Sequence, residues 1–160
     1  MDTEVLVADY ANLAHATDIT ELLNLYAQDP MGGGTPLSEH VQKNLVSELA
    51  KLPNAFSVLC YVDGTAAGLV NCFIGFSTFK CKPLVNVHDV VVAKQFRGRG
   101  LSQRLLGEVQ RVAMERGCCK LTLEVLDGNE RAKKAYLSFG FEAVQLDSAK
   151  AKALFWQKAI

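Results

Sequence analysis

Val90-Val91-Val92-Ala93-Lys94-Gln95-Phe96-Arg97-Gly98-Arg99-Gly100-Leu101-Ser102 is the stretch on which the reading of this chain turns. A β-branched run suits a strand. It gives way to a basic turn with Gly98 and Gly100 at alternate positions, then to an amphipathic helical pattern. Strand, glycine turn and helix start make an anion-binding junction. Glycine lets the backbone approach the anion, the first N–H groups of the helix lack intrahelical partners, and the helix dipole adds attraction. Arg97 and Arg99 bring full positive charge beside the turn. The segment predicts a ligand that carries phosphate.

Downstream, Leu101, Leu105, Val109, Val112 and Ala113 recur at helical spacing as far as Gly117, and Leu121, Leu123 and Val125 alternate as a strand. Asn129 suits the cap of a helix that runs through Tyr136 and Phe139 to Gly140. Residues 141–144 and 153–159 read as closing strands. Upstream, residues 5–8 read as a strand. Asn12 caps a helix whose apolar positions are Leu13, Ala16, Ile19, Leu22, Leu23 and Tyr26. Residues 29–36, with three consecutive glycines and two prolines, form a loop. Ser38 caps a second helix bearing Val41, Leu45 and Leu49. Residues 56–62 and 66–76 are hairpin strands joined at Asp63-Gly64, and residues 85–93 are the strand before the glycine turn. The order β-α-α-β-β-β-α-β-α-β-β predicts an α/β fold in one domain over residues 1–160. Its sheet is mixed and mostly antiparallel, with a central parallel βαβ crossover over residues 85–125 and helices on both faces.

Composition excludes several classes. With 160 residues, 49% apolar and 21% charged, the chain can bury a core and is not disordered in character. A net charge of zero gives no broad basic surface, so nucleic acid is not an expected partner. Apolar runs are short and interrupted, so no membrane span is expected. Met1-Asp2-Thr3-Glu4 lacks a basic-then-apolar leader pattern, which makes the cytoplasm the expected compartment. The five cysteines form no C-x-x-C pair, and none of the three histidines sits at ligand spacing to them. Buried reduced thiols are expected, with Cys118-Cys119 opening a buried strand, and no metal.

Val90-x-Val92, Arg97-Gly98-Arg99-Gly100-Leu101-Ser102 and the following Leu105-Leu106 resemble the acetyl-CoA site of the GNAT superfamily of N-acetyltransferases. That turn is written Gln/Arg-x-x-Gly-x-Gly/Ala. Arg97 and Gly100 match, and Ser102 takes the last small position. A second phase, Gln95-x-x-Gly98-x-Gly100, also fits, but the Arg97 phase keeps the usual distances to Val92 and the leucine pair. Leu121-Thr122-Leu123-Glu124-Val125 and Asn129-x-x-Ala132-x-x-x-Tyr136-x-x-Phe139-Gly140-Phe141 resemble the family's second half. With the element order, the resemblance covers nearly the whole chain.

The resemblance implies transfer of an acetyl group from acetyl-CoA to an amine, foremost on a small molecule, without a metal. It assigns the pyrophosphate to main-chain N–H groups of Gly98, Arg99, Gly100, Leu101 and Ser102, with Arg97 flanking. Val90 and Val92 lend main-chain groups to the pantetheine arm, and Asn129 contacts that arm. Tyr136 is the general acid for the departing thiolate, because phenol and thiol pKa values lie within roughly two units. Asn129 and Tyr136 are two helical turns apart, on one face. For the base, strand alternation places Asn86 and His88 on one face and Asp89 on the other. His88 is the candidate, since an imidazole titrates near about 6.5. Asp89, Glu124 or a water are alternatives.

The family seats the acceptor between the first helices and the last strands, here residues 29–37, 76–79 and 147–155. The run Gly32-Gly33-Gly34 is either a lid or a plain turn. Phe76 and Phe79 either shape a pocket or plug the core. Asp29, Glu39 and Asp147 either attract a cationic amine or are simply solvated. Two other functions fit the same residues: acetylation of a protein lysine or N-terminus, and a non-catalytic acyl-CoA-binding module. Ala153-Leu154-Phe155-Trp156, in the last strand, is the candidate surface for a homodimer.

Overall fold

Side-chain caps start the helices where the sequence places them. The Asn12 Oδ1 accepts from the N–H groups of Ala14 and His15, Ser38 Oγ from Val41, and Asn129 Oδ1 from Ala132. Each such cap contributes about 1 kcal/mol. The computed structural model describes residues 1–144 and 153–160. Its elements are β1 (Thr3–Val7), α1 (Leu13–Gln28), a 3₁₀ turn (Pro30–Gly32), α2 (Glu39–Leu49), β2 (Ala55–Val62), β3 (Thr65–Ser77), β4 (Lys82–Val92), a second 3₁₀ turn (Lys94–Phe96), α3 (Leu101–Glu115), β5 (Leu121–Leu123) and α4 (Glu130–Phe139).

The strands form one mixed sheet in the order β1-β2-β3-β4-β5. The first three pairings are antiparallel and β4–β5 is parallel, with α3 as the crossover. The β2–β3 hairpin turns at Asp63-Gly64, both with positive φ, as a tight right-twisted hairpin requires. Alternation along the strands builds two cores. Ile19 and Leu22 of α1 and Val46 of α2 pack on Leu59, Leu69 and Val91. On the other face Leu101, Leu105, Leu106 and Val109 of α3 pack on Val58, Cys60, Val70 and Val85. Helices thus cover both faces, and the parallel unit forms one end of the described sheet.

The β3–β4 ladder slips by one residue. Asn71 faces Asp89 while Cys72 faces Val87, so His88 is an extra residue in β4, a β-bulge.

Three expectations are corrected. Residues 141–144 and 153–160 carry no strand. The Phe141 N–H closes α4 by donating to the Tyr136 carbonyl at 3.0 Å, and its ring packs on Tyr136 and Phe139. β propensity without a ladder partner is a weak force, and among the described residues β5 pairs with β4 alone. Phe76 and Phe79 plug no core. β2 pairing stops at Ala55–Phe73 whereas β3 and β4 continue to Ser77–Lys82, so the hairpin tip projects and both rings are exposed. The thiols are not uniformly buried either. Cys60 and Cys72 are buried, Cys118 and Cys119 are half-buried ahead of β5, and Cys81 is exposed at the hairpin tip. Among the described residues no helix is long and apolar enough to cross a membrane.

Gly68 lets α3 settle on the sheet: a Cβ there would lie 2.8 Å from Leu105 Cδ1 and 3.0 Å from the Val91 carbonyl oxygen. Gly68→Ala is expected to destabilise the protein by about 1–3 kcal/mol, the usual cost of overpacking, read as a lowered urea midpoint.

Candidate active site

A cleft of about 860 Å³ opens where β4 runs into the glycine turn and is walled by the end of α1 and by α4. A smaller hollow of about 250 Å³ lies at the far end of α3, between Met114 and Leu121. The chemistry-bearing residues meet in the larger one.

The glycine turn has the geometry its sequence predicts. Gly98 and Gly100 have φ of 78° and 73°, the left-handed region that side chains avoid, and Gly100 is the residue from which α3 starts. Among the described residues, no main-chain N–H from Gly98 through Ser102 has a hydrogen-bond partner. Five consecutive donors are thus left at a helix N-terminus. Val90 and Val92, half-buried, line the cleft beside the turn, as do Arg97, Gly98, Gly100, Leu101 and Ser102.

The two arginines behave differently. Arg99 turns away, stacking over the Phe96 ring at 5.5 Å and reaching Met1 Sδ. Arg97 turns back: its Nε donates to the Val92 carbonyl at 3.0 Å and its Nη2 pairs with Asp29 Oδ2 at 3.2 Å. Asp29 ends α1 and also accepts from the Met31 N–H at 3.0 Å, while its carbonyl accepts from Gly32 and Gly34. The Met31 N–H first, then the Arg97 guanidinium, hold its carboxyl below the usual carboxylate range. The triple-glycine run is therefore a turn fastened at its base to the phosphate-type junction. A side chain at Gly32 would collide with the Tyr26 carbonyl at 1.9 Å.

On α4, Asn129 and Tyr136 line the cleft together. Tyr136 stands edge-on to Phe141 at 5.9 Å. Burial, then the charge of Tyr26, push its phenol up to about 12. Tyr26, read in the sequence only as a helix core position, lines the cleft from α1. Its phenol is raised by burial and then by the charges of Asp89 and Asp29. The available signal was a hydroxyl ending an otherwise aliphatic stripe beside a loop.

The bulge corrects the expected faces of β4. The exposed His88 meets the Phe73 ring edge-on at 5.3 Å, and Asp89 Oδ2 accepts from Asn71 Nδ2 at 3.0 Å. Residues 71 and 73 lie two apart on β3, hence on one face. His88 and Asp89 therefore share a face. The Asn86 amide is committed to Thr122 Oγ1 at 3.1 Å. Glu124 lines the cleft from the end of β5. Lys94, Arg131 and Lys134 line it too. Glu39 is exposed on α2 with Lys43 at 3.8 Å, and Phe76 and Phe79 line no part of the cleft. Asp147 lies outside the described residues. Among the described residues no three His, Cys, Asp or Glu side chains are grouped to hold a metal.

The model of the acetyltransferase (GNAT) family matches residues 19–141. The chain is 31% identical over 96 residues to a thialysine N-epsilon-acetyltransferase of Bos taurus, a match covering 60% of this chain and 53% of that protein. It thus spans about half the length of that relative. It is 24% identical over 114 residues to an aminoglycoside N(6')-acetyltransferase type 1 of Salmonella typhimurium, covering 69% of this chain and 74% of that one. Its fold superposes on aminoglycoside N-acetyltransferase AAC(6')-Iy, solved with a CoA-linked bisubstrate analog, with a TM-score of 0.75, 20% identity and full coverage of both chains.

The Asp29 pairing sets a pH signature. A carboxyl held below its unfolded value near about 3.9 contributes stability that is fully present above that value and is lost as pH falls through the lower folded one. Asp29→Asn keeps an acceptor for Met31 but loses the charge facing Arg97. Its melting temperature is expected to lie below that of the unmodified protein at pH 7, the gap closing below about pH 4. Thermal melts across pH 2–7 check this.

Proposed function

The chain belongs to the GNAT acetyltransferase family, and on that premise we propose that it moves an acetyl group from acetyl-CoA to an amine on a small molecule. The observation that carries the reading is the cleft itself, lined on one wall by Gly98, Gly100, Leu101 and Ser102, whose N–H groups have no partner among the described residues, and on the other by a half-buried phenol. The residues present fit the donor. Gly98, Arg99, Gly100, Leu101 and Ser102 offer main-chain donors to a pyrophosphate. Val90 and Val92 lie on a stretch of strand edge that no described strand pairs, with the Val92 carbonyl already accepting from Arg97; this edge is offered to an extended amide-bearing arm, and Asn129 flanks it. Arg97, tied to Asp29, orders the turn.

Bound acetyl-CoA supplies the thioester. The amine nitrogen attacks the thioester carbon, a C–N bond forms, and the C–S bond breaks with its electron pair leaving on sulfur. Tyr136, whose phenol is protonated at neutral pH and is raised further by burial, donates to that sulfur. His88, exposed on the wall of β4, takes the proton shed by the acceptor nitrogen, directly or through water; Asp89 and Glu124 are the alternative acceptors. The relatives named for acetylation of thialysine and of aminoglycosides support a small-molecule amine. The proposal extends to a cytoplasmic homodimer, on the exposed Leu154, Phe155 and Trp156. Light scattering that finds a monomer at every concentration removes the dimer.

Three measurements test the reading. Release of free CoA thiol from acetyl-CoA is expected to depend on an added amine in a panel of thialysine, neamine, simple diamines and a lysine peptide. Release with the peptide alone would move the acceptor to protein, and release with none would leave an acyl-CoA-binding module. Tyr136→Phe keeps the ring and is expected to lower turnover by about 10²–10⁴ with acetyl-CoA affinity retained; unchanged turnover returns Tyr136 to the core. Gly100→Glu puts a carboxylate at the left-handed turn and is expected to abolish CoA binding in calorimetric titration of the folded variant. Equal affinity would move the phosphate site elsewhere.

A further inference from the structure

A row of polar side chains crosses the otherwise apolar sheet beneath α1. Ser57 on β2, Asn71 on β3 and Asp89 on β4 are partners in successive strand registers. Ser57 is 0% exposed and Asn71 4%. Tyr10 lies 2.9 Å from Ser57 Oγ through its hydroxyl, Ser57 Oγ donates to Asn71 Oδ1 at 2.7 Å, and Asn71 Nδ2 donates to Asp89 Oδ2 at 3.0 Å. Ser57 has one proton, which goes to Asn71, so the Tyr10 hydroxyl must donate to Ser57. Every donor in the row therefore points toward Asp89, and such aligned bonds reinforce one another.

The core does not need this row. The next row on the same face is Leu59, Leu69 and Val91, and polar groups in such a place are costly unless bonded. What the row does is hold one carboxylate. The bulge at His88 turns Asp89 to the α1 face; Asp89 sits just behind the cleft wall, between His88 and Val90, which both line the cleft, and its charge raises the Tyr26 phenol there. Asp29, the other acid at this end, is taken by Arg97, whereas among the described residues Asp89 has no cationic partner. A half-buried carboxylate fed only by neutral donors is a site for an incoming cation.

We propose that Tyr10, Ser57 and Asn71 are positioning residues for acetyl transfer, holding the Asp89 carboxylate as the fixed charge that receives an ammonium group of the acceptor. This rests on the amine-acetyltransferase reading above. It narrows the acceptor to amines that keep a positive charge while bound, such as diamines and amino sugars with a second amino group.

Steady-state kinetics in a double-mutant cycle test it, with whichever of thialysine or neamine the unmodified protein acetylates faster. Ser57→Ala is expected to raise the acceptor KM about tenfold, the worth of one such bond, with acetyl-CoA KM and kcat within about twofold. Asp89→Asn raises the acceptor KM further. Adding Ser57→Ala to Asp89→Asn changes nothing more, because Ser57 acts through the charge already removed. Tyr10→Phe, which keeps its ring, gives a smaller rise in the same parameter and serves if Ser57→Ala does not fold. An unchanged acceptor KM, an equal rise for acetyl-CoA, or additive effects in both backgrounds overturn the positioning role and leave the acetyltransferase reading intact. An unmodified protein that acetylates neither amine overturns this inference, and one that releases no CoA with any amine overturns the wider reading as well.

Discussion

One extra residue in β4 governs the geometry of the cleft. Before His88, β4 pairs in parallel with β5, Val85 with Leu121 through Val87 with Leu123. After it, the ladder to β3 continues through Val90, Val91 and Val92, but no described residue pairs on the β5 side. A bulge adds twist and bends its strand, so the two parallel strands separate where the bulge lies. The gap exposes the β4 edge beside the glycine turn. The same insertion resets the alternation and brings His88 and Asp89 to one face. A sheet with perfect register would have closed the cleft and split that pair.

Charge within the cleft is divided in a way that net charge conceals. The chain sums to zero. Yet Lys94, Arg97, Arg131 and Lys134 line the cleft together with Gly98, Gly100, Leu101 and Ser102, whose N–H groups have no partner among the described residues, while Glu124 lines the strand wall and Asp89 lies just behind it between His88 and Val90. The first set suits an anionic donor and the second a cationic acceptor. Asp29 and Arg97 join the two. Their pair links the end of α1 to the turn before α3. The exposed pairs on the helices, such as Lys51 with Glu48, contribute little.

What the sequence made legible was local. Asn12, Ser38 and Asn129 cap helices because a short side chain reaches N–H groups two or three residues on. Gly98 and Gly100 mark positive φ because side chains disfavour it, and two helical turns align Asn129 with Tyr136 on the cleft. What it hid was non-local. Strict alternation cannot register an inserted residue, so His88 and Asp89 were expected on opposite faces. Arg97 finds Asp29 68 positions away, and nothing near either residue announces that pairing. Phe76 and Phe79 looked like pocket or core because hydrophobicity reports a tendency to bury, not whether β2 is long enough to cover them. Residues 153–159 have strand-like content, yet they pair with no other described residue as a ladder and form no strand.

The phenol of Tyr136 constrains the proposed chemistry further. An alkyl thiol titrates near about 8.5, and a phenol raised to about 12 holds its proton more tightly by roughly 3.5 units, or about 5 kcal/mol. Transfer to sulfur before the C–S bond weakens would therefore be steeply uphill. The hydroxyl is suited to a later task, which is to point a hydrogen bond at sulfur and strengthen it as negative charge collects there. Burial serves this timing. It raises the phenol, which keeps the proton in place through binding, and it lowers the local dielectric, which makes the bond to a developing thiolate stronger than it would be in water. A phenol raised by burial thus favours donation that follows bond breaking and does not lead it.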